Sequence, residues 1–145
     1  LHSGDKTSDG VDIGIVCVDF LQKTVRYSGA NANLIRGQNG HLDVFKGNRV
    51  WIGSPLVPTE GPGPFQESCW DLSPGDVYYM SSDGFSDQFG GPKDKKYLFK
   101  NFVGLLNTIQ DKPFQEQVKS IAKTHKDWRG LQSQTDDILV LGFKL

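Results

Sequence analysis

The stretch Asp76-Val-Tyr-Tyr-Met-Ser-Ser-Asp83-Gly84-Phe-Ser-Asp87 constrains what this chain can fold into more than any other. The apolar run from Val77 to Met80 has the length of a buried strand, and the two serines and Asp83-Gly84 that follow stop it with turn chemistry. Near the C-terminus the order inverts. Thr135-Asp136-Asp137 stands directly before the apolar run Ile138 to Phe143, so acids enter a strand here where before they left one. Two central strands presenting Asp83 and Asp136 at one sheet edge would offer oxygen donors to a hard divalent cation, because Mg²⁺ and Mn²⁺ prefer such ligands. The residues alone leave blander readings open. Asp-Gly is common wherever a chain reverses, and Asp136 and Asp137 also suit a solvated strand end or a charge set against edge pairing. Asp87, four residues after Asp83 on the first turn of a short helix, either brings a second carboxylate near the first or is simply exposed.

Read in order, the chain begins with β patterns. Val11 to Val18 is β-branched and apolar enough for a strand buried on both faces. Asp19 to Lys23 reads as a turn and Thr24 to Ser28 as the returning strand. Leu34 to Arg36 opens another hairpin, closed by Asn39-Gly40, the strongest two-residue hairpin signal in the chain, with His41 to Phe45 as its return. Ser54 to Pro64 holds four of the seven prolines and reads as a loop. Phe65 to Leu72 alternates as a strand, Ser73 to Asp76 turns, and the strand ending at Ser82 is expected to pair with the one before it. Past Asp83 the period becomes helical. Phe99, Phe102, Val103, Leu105, Leu106 and Ile109 share one face. A second helix, with Asp111 as candidate N-cap and Pro113 in its first turn, collects Phe114, Val118, Ile121, Ala122 and His125 before Trp128 and Gly130. A last strand runs from Asp137 to Lys144. The sum predicts an α+β layered domain with mostly antiparallel sheet.

Length and composition exclude several classes. A chain of 145 residues fits one domain, residues 1–145, with 1–8 expected to be a flexible start. Sixteen basic against seventeen acidic residues give a net charge of −1, which argues against nucleic acid or an anionic membrane as partner. No apolar run approaches the roughly 20 residues of a membrane helix. Cys17 and Cys69, lacking CxxC spacing, are expected to be buried thiols of an intracellular protein. His41 and His125 have no ligand-spaced partner for zinc, and nothing in the sequence supports a covalent nucleophile.

The motifs in their order resemble the later part of a metal-dependent serine/threonine phosphatase domain of the PPM class, and more narrowly the bacterial SpoIIE/RsbU-type regulators of partner switching. The matching pieces are Asp9-Gly-Val-Asp-Ile-Gly-Ile-Val-Cys-Val-Asp19, Tyr27-Ser-Gly-Ala-Asn-Ala-Asn-Leu-Ile35 and Trp51-Ile-Gly53. They continue with Gly75-Asp76 through Asp83-Gly84 and Asp87 to Gly91, and close with Gln134-Thr-Asp-Asp-Ile-Leu-Val140. The resemblance implies an αββα sandwich with helices outside, and a two-metal Mn²⁺ or Mg²⁺ site. In that site Asp83 and Asp136 bind the same ion, Asp137 stands beside them, and Asp87 serves a weaker extra metal. The family's bridging aspartate lies in a Gly-Asp motif upstream of the matched segment. Gly4-Asp5 precedes the wrong strand to be that motif, so the N-terminal portion of the domain is expected to be missing.

The activity implied is hydrolysis of phosphoserine or phosphothreonine on a phosphorylated anti-anti-sigma (STAS-like) partner by a metal-activated water. The setting implied is cytoplasmic, including the cytoplasmic domain of a longer, membrane-anchored sensor, and a homodimer is compatible with it. A catalytically incomplete scaffold that binds a regulatory partner, and a simple divalent-ion module, are the competing readings. Ser54 to Pro64 and Gly90 to Lys96 are the expected substrate-facing loops, since loops beside a rigid site commonly select partners.

Overall fold

A computed structural model describes residues 10–55 and 63–145. The expected flexible start, His2, Gly4-Asp5, Asp9 and most of the proline-rich loop lie outside the described residues. In chain order the elements are β1 (Ile13–Asp19), β2 (Thr24–Ala30), β3 (Asn33–Gln38), β4 (His41–Lys46), β5 (Ser68–Asp71), β6 (Val77–Ser81) and α1 (Gly84–Asp87). They continue with β7 (Phe89–Gly90), β8 (Lys95–Lys96), α2 (Phe99–Ile109), α3 (Phe114–Arg129) and β9 (Val140–Lys144). The chain divides into two compact units. One comprises Ile35–Val44 and Ser73–Leu145; the other holds β1, β2 and β5.

In the unit of β1, β2 and β5, the three strands form an antiparallel sheet in the order β1-β2-β5. Asp19 builds the first turn, its Oδ1 accepting the N–H groups of Leu21 at 2.9 Å and Gln22 at 2.8 Å, and Lys23 completes it at φ 53°. Here two expectations fail. Phe65 to Leu72 does not pair with the strand after it: β5 begins at Ser68 and lies against β2, with Val25 opposite Trp70. And β1 is buried on neither face: Ile13 and Ile15 are exposed, and Val16 and Val18 opposite them are only partly covered. A short apolar run has the same appearance however far its faces are covered. The cysteines are on the same open side. Cys17 and Cys69 are exposed free thiols rather than buried ones, standing on either side of Arg26, which donates to Cys17 Sγ at 3.7 Å. Two strand spacings, about 10 Å, separate them, too far for a disulfide.

The other unit contains a four-stranded sheet in the order β4-β3-β6-β9. Asn39-Gly40 makes the predicted β3–β4 hairpin, with φ of 51° and 78°, the two left-handed residues that a type I′ turn requires. On this sheet a core gathers Ile35, Val77, Tyr79, Phe85, Tyr97, Phe102, Leu106 and Ile109. The helical face read from the sequence puts Phe102, Leu106 and Ile109 of α2 inside. α3 differs. Its N-cap is Pro113 without a side-chain cap bond, not Asp111, and Phe114 and Val118 stay exposed. The residue it buries is polar: Gln117 accepts from Tyr79 Oη at 2.9 Å and donates to the carbonyls of Lys112 at 2.7 Å and Gln110 at 3.2 Å. α3 and β9 flank an apolar groove of about 610 Å³, lined by Tyr79, Phe85, Ile121 and Ile138 among others. No helix among the described residues is long and apolar enough to cross a membrane.

β9 pairs antiparallel with β6 from Ser81–Val140 to Val77–Lys144. It therefore starts three residues later than the strand predicted from Asp137, and it stands at the edge of the sheet, not in its centre. Asp136 and Asp137 lie in the segment leading into it.

Candidate active site

β6 carries a buried aromatic pair, Tyr78 and Tyr79, and the chain then leaves the core through Met80, Ser81 and Ser82 into a one-turn helix. Phe85 pins that turn. It is 1% exposed and packs edge-on to Tyr97 at 5.2 Å and tilted against Phe102 at 4.9 Å. With Phe85 held inside, Asp83 at the start of α1 stays exposed. Its carbonyl is occupied, accepting Asp87 N–H at 2.8 Å and Ser86 Oγ–H at 2.9 Å. Its carboxylate makes no capping bond and has no hydrogen-bond or ion-pair partner among the described residues, although aspartate is among the best capping residues.

The second acid segment meets the first across the open end of the β6–β9 ladder. Ser82 N–H donates to Leu139 carbonyl at 3.0 Å, which carries the strand pairing one step beyond β9. Ser82 Oγ donates to Asp137 carbonyl and accepts Leu139 N–H, both at 3.0 Å. Beyond it the two backbones nearly touch. A Cβ added at Gly84 would lie 2.3 Å from Asp137 carbonyl oxygen, a fixed backbone atom. Only glycine allows this approach. Asp136 is exposed, and its Oδ1 accepts the N–H of Asp137 at 2.7 Å, which fixes the direction of the carboxylate. The turn of Asp83 and the Asp136-Asp137 segment therefore adjoin at one end of the β6–β9 pair. Asp87 points elsewhere: its Oδ2 lies 2.6 Å from Lys96 Nζ.

Sequence reasoning passed over Gln88. Its side chain is fully buried and uses its whole hydrogen-bonding capacity. Nε2 donates to the carbonyls of Ser133 at 2.9 Å and Phe89 at 3.0 Å; Oε1 faces Thr135 N–H and His125 Nε2, both at 3.2 Å. Since Oε1 can only accept, His125 must carry its proton on Nε2. Burial, with Arg129 nearby, holds the His125 pKa below its ordinary value. Trp128 Nε1 donates to the Gln88 carbonyl at 3.0 Å. The only signal in the sequence was the adjacency of Gln88 to Asp87, because its partners lie some 40 residues away.

The Gly84 contact yields a direct test. Gly84→Ala is expected to destabilise the fold by about 1–3 kcal/mol through overpacking against backbone. Gly104→Ala, whose Cβ would meet nothing within 4 Å, is expected to cost no stability. Denaturant melts of the two variants check both.

A sequence-family profile described as Stage II sporulation protein E (SpoIIE) matches residues 11–145. The chain belongs to the SpoIIE family. Solved structures agree with the fold described above. The SiaA-PP2C domain of Pseudomonas aeruginosa is 28% identical with a TM-score of 0.81, over 92% of this chain and 51% of that one. The SpoIIE phosphatase domain of Bacillus subtilis, presoaked with Mn, is 12% identical with a TM-score of 0.65, over 93% and 56%. The Mycobacterium tuberculosis serine/threonine phosphatase PstP/Ppp is 12% identical with a TM-score of 0.62, over 94% and 60%. No curated protein sequence matches the chain. The α+β fold with antiparallel sheets is thus the PP2C-type fold of PPM phosphatase domains, and the chain spans between half and three-fifths of the length of these structures.

Proposed function

We propose that this chain supplies the C-terminal part of a protein serine/threonine phosphatase domain, in which Asp83 and Asp136 are ligands of one Mn²⁺ or Mg²⁺ ion. The observation that carries the reading is the junction at Gly84, which sets the turn of Asp83 against the backbone of Asp137. The donor chemistry fits. Carboxylates are the hard oxygen ligands these cations prefer, and the Asp83 carboxylate is exposed and uncommitted. Among the described residues no three His, Cys, Asp or Glu side chains gather to hold a metal, so the donors present are a partial set. The bridging aspartate expected upstream would complete it.

Bound ions would lower the pKa of a water and neutralise phosphoryl oxygens. The chain's own residues then have distinct tasks. Asp83 and Asp136 would hold negative charge at adjoining strand ends, with Asp137 next to Asp136 in the chain. Asp87 could serve a weaker extra ion only by releasing Lys96. The substrate proposed is phosphoserine or phosphothreonine on a phosphorylated STAS-like (anti-anti-sigma) regulatory partner in the cytoplasm. The partial donor set favours one alternative, a phosphatase-like scaffold that binds such a partner without turnover. Phosphate release from a small phosphate ester and from a phosphoserine partner, measured on the intact protein, separates the two. Release is expected with Mn²⁺ and should vanish on chelation. Partner binding with no turnover under any divalent cation would establish the scaffold instead.

A further inference from the structure

We propose that Ser82 and Gln88, the residues flanking the Asp83–Asp87 turn, are positioning residues that set the Asp136 carboxylate opposite Asp83. The inference rests on the phosphatase-centre reading above and adds a device to it. Residues 131–137 are all exposed, so packing alone does little to hold Asp136 in one place. Hydrogen bonds do so instead, on both sides of it. Thr135, immediately before Asp136, gives its N–H to Gln88 Oε1, and Ser133 gives its carbonyl to Gln88 Nε2. Asp137, immediately after, gives its carbonyl to Ser82 Oγ, and Leu139 closes the same hydroxyl from the other direction.

The symmetry of this arrangement is what points to positioning. Ser82, just before Asp83, bonds to the residues after Asp136, and Gln88, at the end of the same turn, bonds to those before it. A displacement of Asp136 relative to Asp83 must therefore break bonds at Ser82, at Gln88, or at both. Gln88 itself has no slack. Its amide orientation is dictated by two carbonyls on the nitrogen side and two N–H groups on the oxygen side, and His125 and Trp128 tie it to α3. A residue whose only task was to fill the core would not need an amide there, and methionine of similar length would serve. Ligand-orienting partners of this kind typically change metal affinity by about 10- to 100-fold when removed.

The test is Mn²⁺ affinity, measured by calorimetric or paramagnetic-resonance titration of the intact protein. The variants are Gln88→Met, Ser82→Ala, Ser82→Thr, Asp83→Asn and Asp136→Asn. Gln88→Met and Ser82→Ala are expected to weaken Mn²⁺ binding by about 10- to 100-fold while still melting cooperatively. Ser82→Thr, which keeps the hydroxyl, should bind as wild type, an outcome that a loss of general stability does not produce. If Gln88→Met fails to fold, the Ser82 pair decides alone. Wild-type affinity in Ser82→Ala, and in any folded Gln88→Met, overturns the positioning role. Wild-type affinity in both Asp83→Asn and Asp136→Asn overturns the underlying metal-centre reading, a different failure that the same titrations identify.

Discussion

On the proposed metal-centre reading, Asp83→Asn is expected to lower Mn²⁺-dependent phosphate release by about a thousandfold or more, while stability stays within roughly 0.5 kcal/mol of wild type. The two halves of this result have separate causes. A ligated cation supplies several kcal/mol of charge stabilisation in phosphoryl transfer. At about 1.4 kcal/mol per decade, losing it reaches three orders of magnitude. Stability is spared because the folded chain makes so little use of this carboxylate: it caps no helix, pairs with no cation among the described residues, and sits in solvent. Asparagine has the same shape, and Phe85 still anchors the turn. Rates with saturating Mn²⁺ and a thermal melt of the same sample check the prediction. A large loss of melting temperature alongside lost activity would assign Asp83 a structural role; unchanged activity would remove it from the centre.

Much of the unit formed by Ile35–Val44 and Ser73–Leu145 could be read from residue order because its determinants are local. Asn39-Gly40 fixes a hairpin through backbone conformations that those two residues tolerate best. The apolar spacing of Phe102, Leu106 and Ile109 fixes a helix face, and Gly130 at φ 56° ends α3 where the sequence suggested. The acid segments were legible for a related reason: carboxylates flanking short apolar runs fall at strand ends, and antiparallel pairing brought two such ends together. What stayed hidden depends on distant partners. The partner of β5 is not legible locally, because alternation shows that a segment is a strand, not which edge receives it. The exposure of Cys17 and Cys69 is hidden for a like reason, since an apolar run does not show which face is covered. Gln88 and Ser82 read as ordinary polar residues, since their significance lies in bonds to a segment more than 40 residues away.

Asp76 is the sharpest instance, and it leads to the second large effect. It opens the same stretch as Asp83, and by composition it reads only as a turn acid, yet its side chain is 2% exposed. Arg36 grips Oδ2 through Nε and Nη2, both at 2.7 Å; Gln38 Nε2 reaches Oδ1 at 3.1 Å and Tyr78 Oη reaches Oδ2 at 3.2 Å. This network ties β3 to the base of β6, while the Asp76 carbonyl accepts Leu145 N–H at 3.0 Å and holds the end of β9. Breaking a buried ion pair from one side costs roughly 3–5 kcal/mol, because the surviving charge keeps its desolvation penalty without that partner. Asp76→Ala is therefore expected to lower the melting temperature by on the order of 10 °C, a large part of the stability a single domain has. Replacing both ends with apolar residues, Arg36→Met with Asp76→Leu, should recover part of the loss, since a packed apolar pair does not carry the desolvation penalty of a broken one. Thermal melts of the single and double variants decide it: an unchanged melting temperature in Asp76→Ala would mean the network adds nothing to the fold. Two aspartates seven positions apart thus sit in opposite settings. One keeps its charge inside to hold strands together, and the other keeps its charge outside, uncommitted, where a cation can reach it.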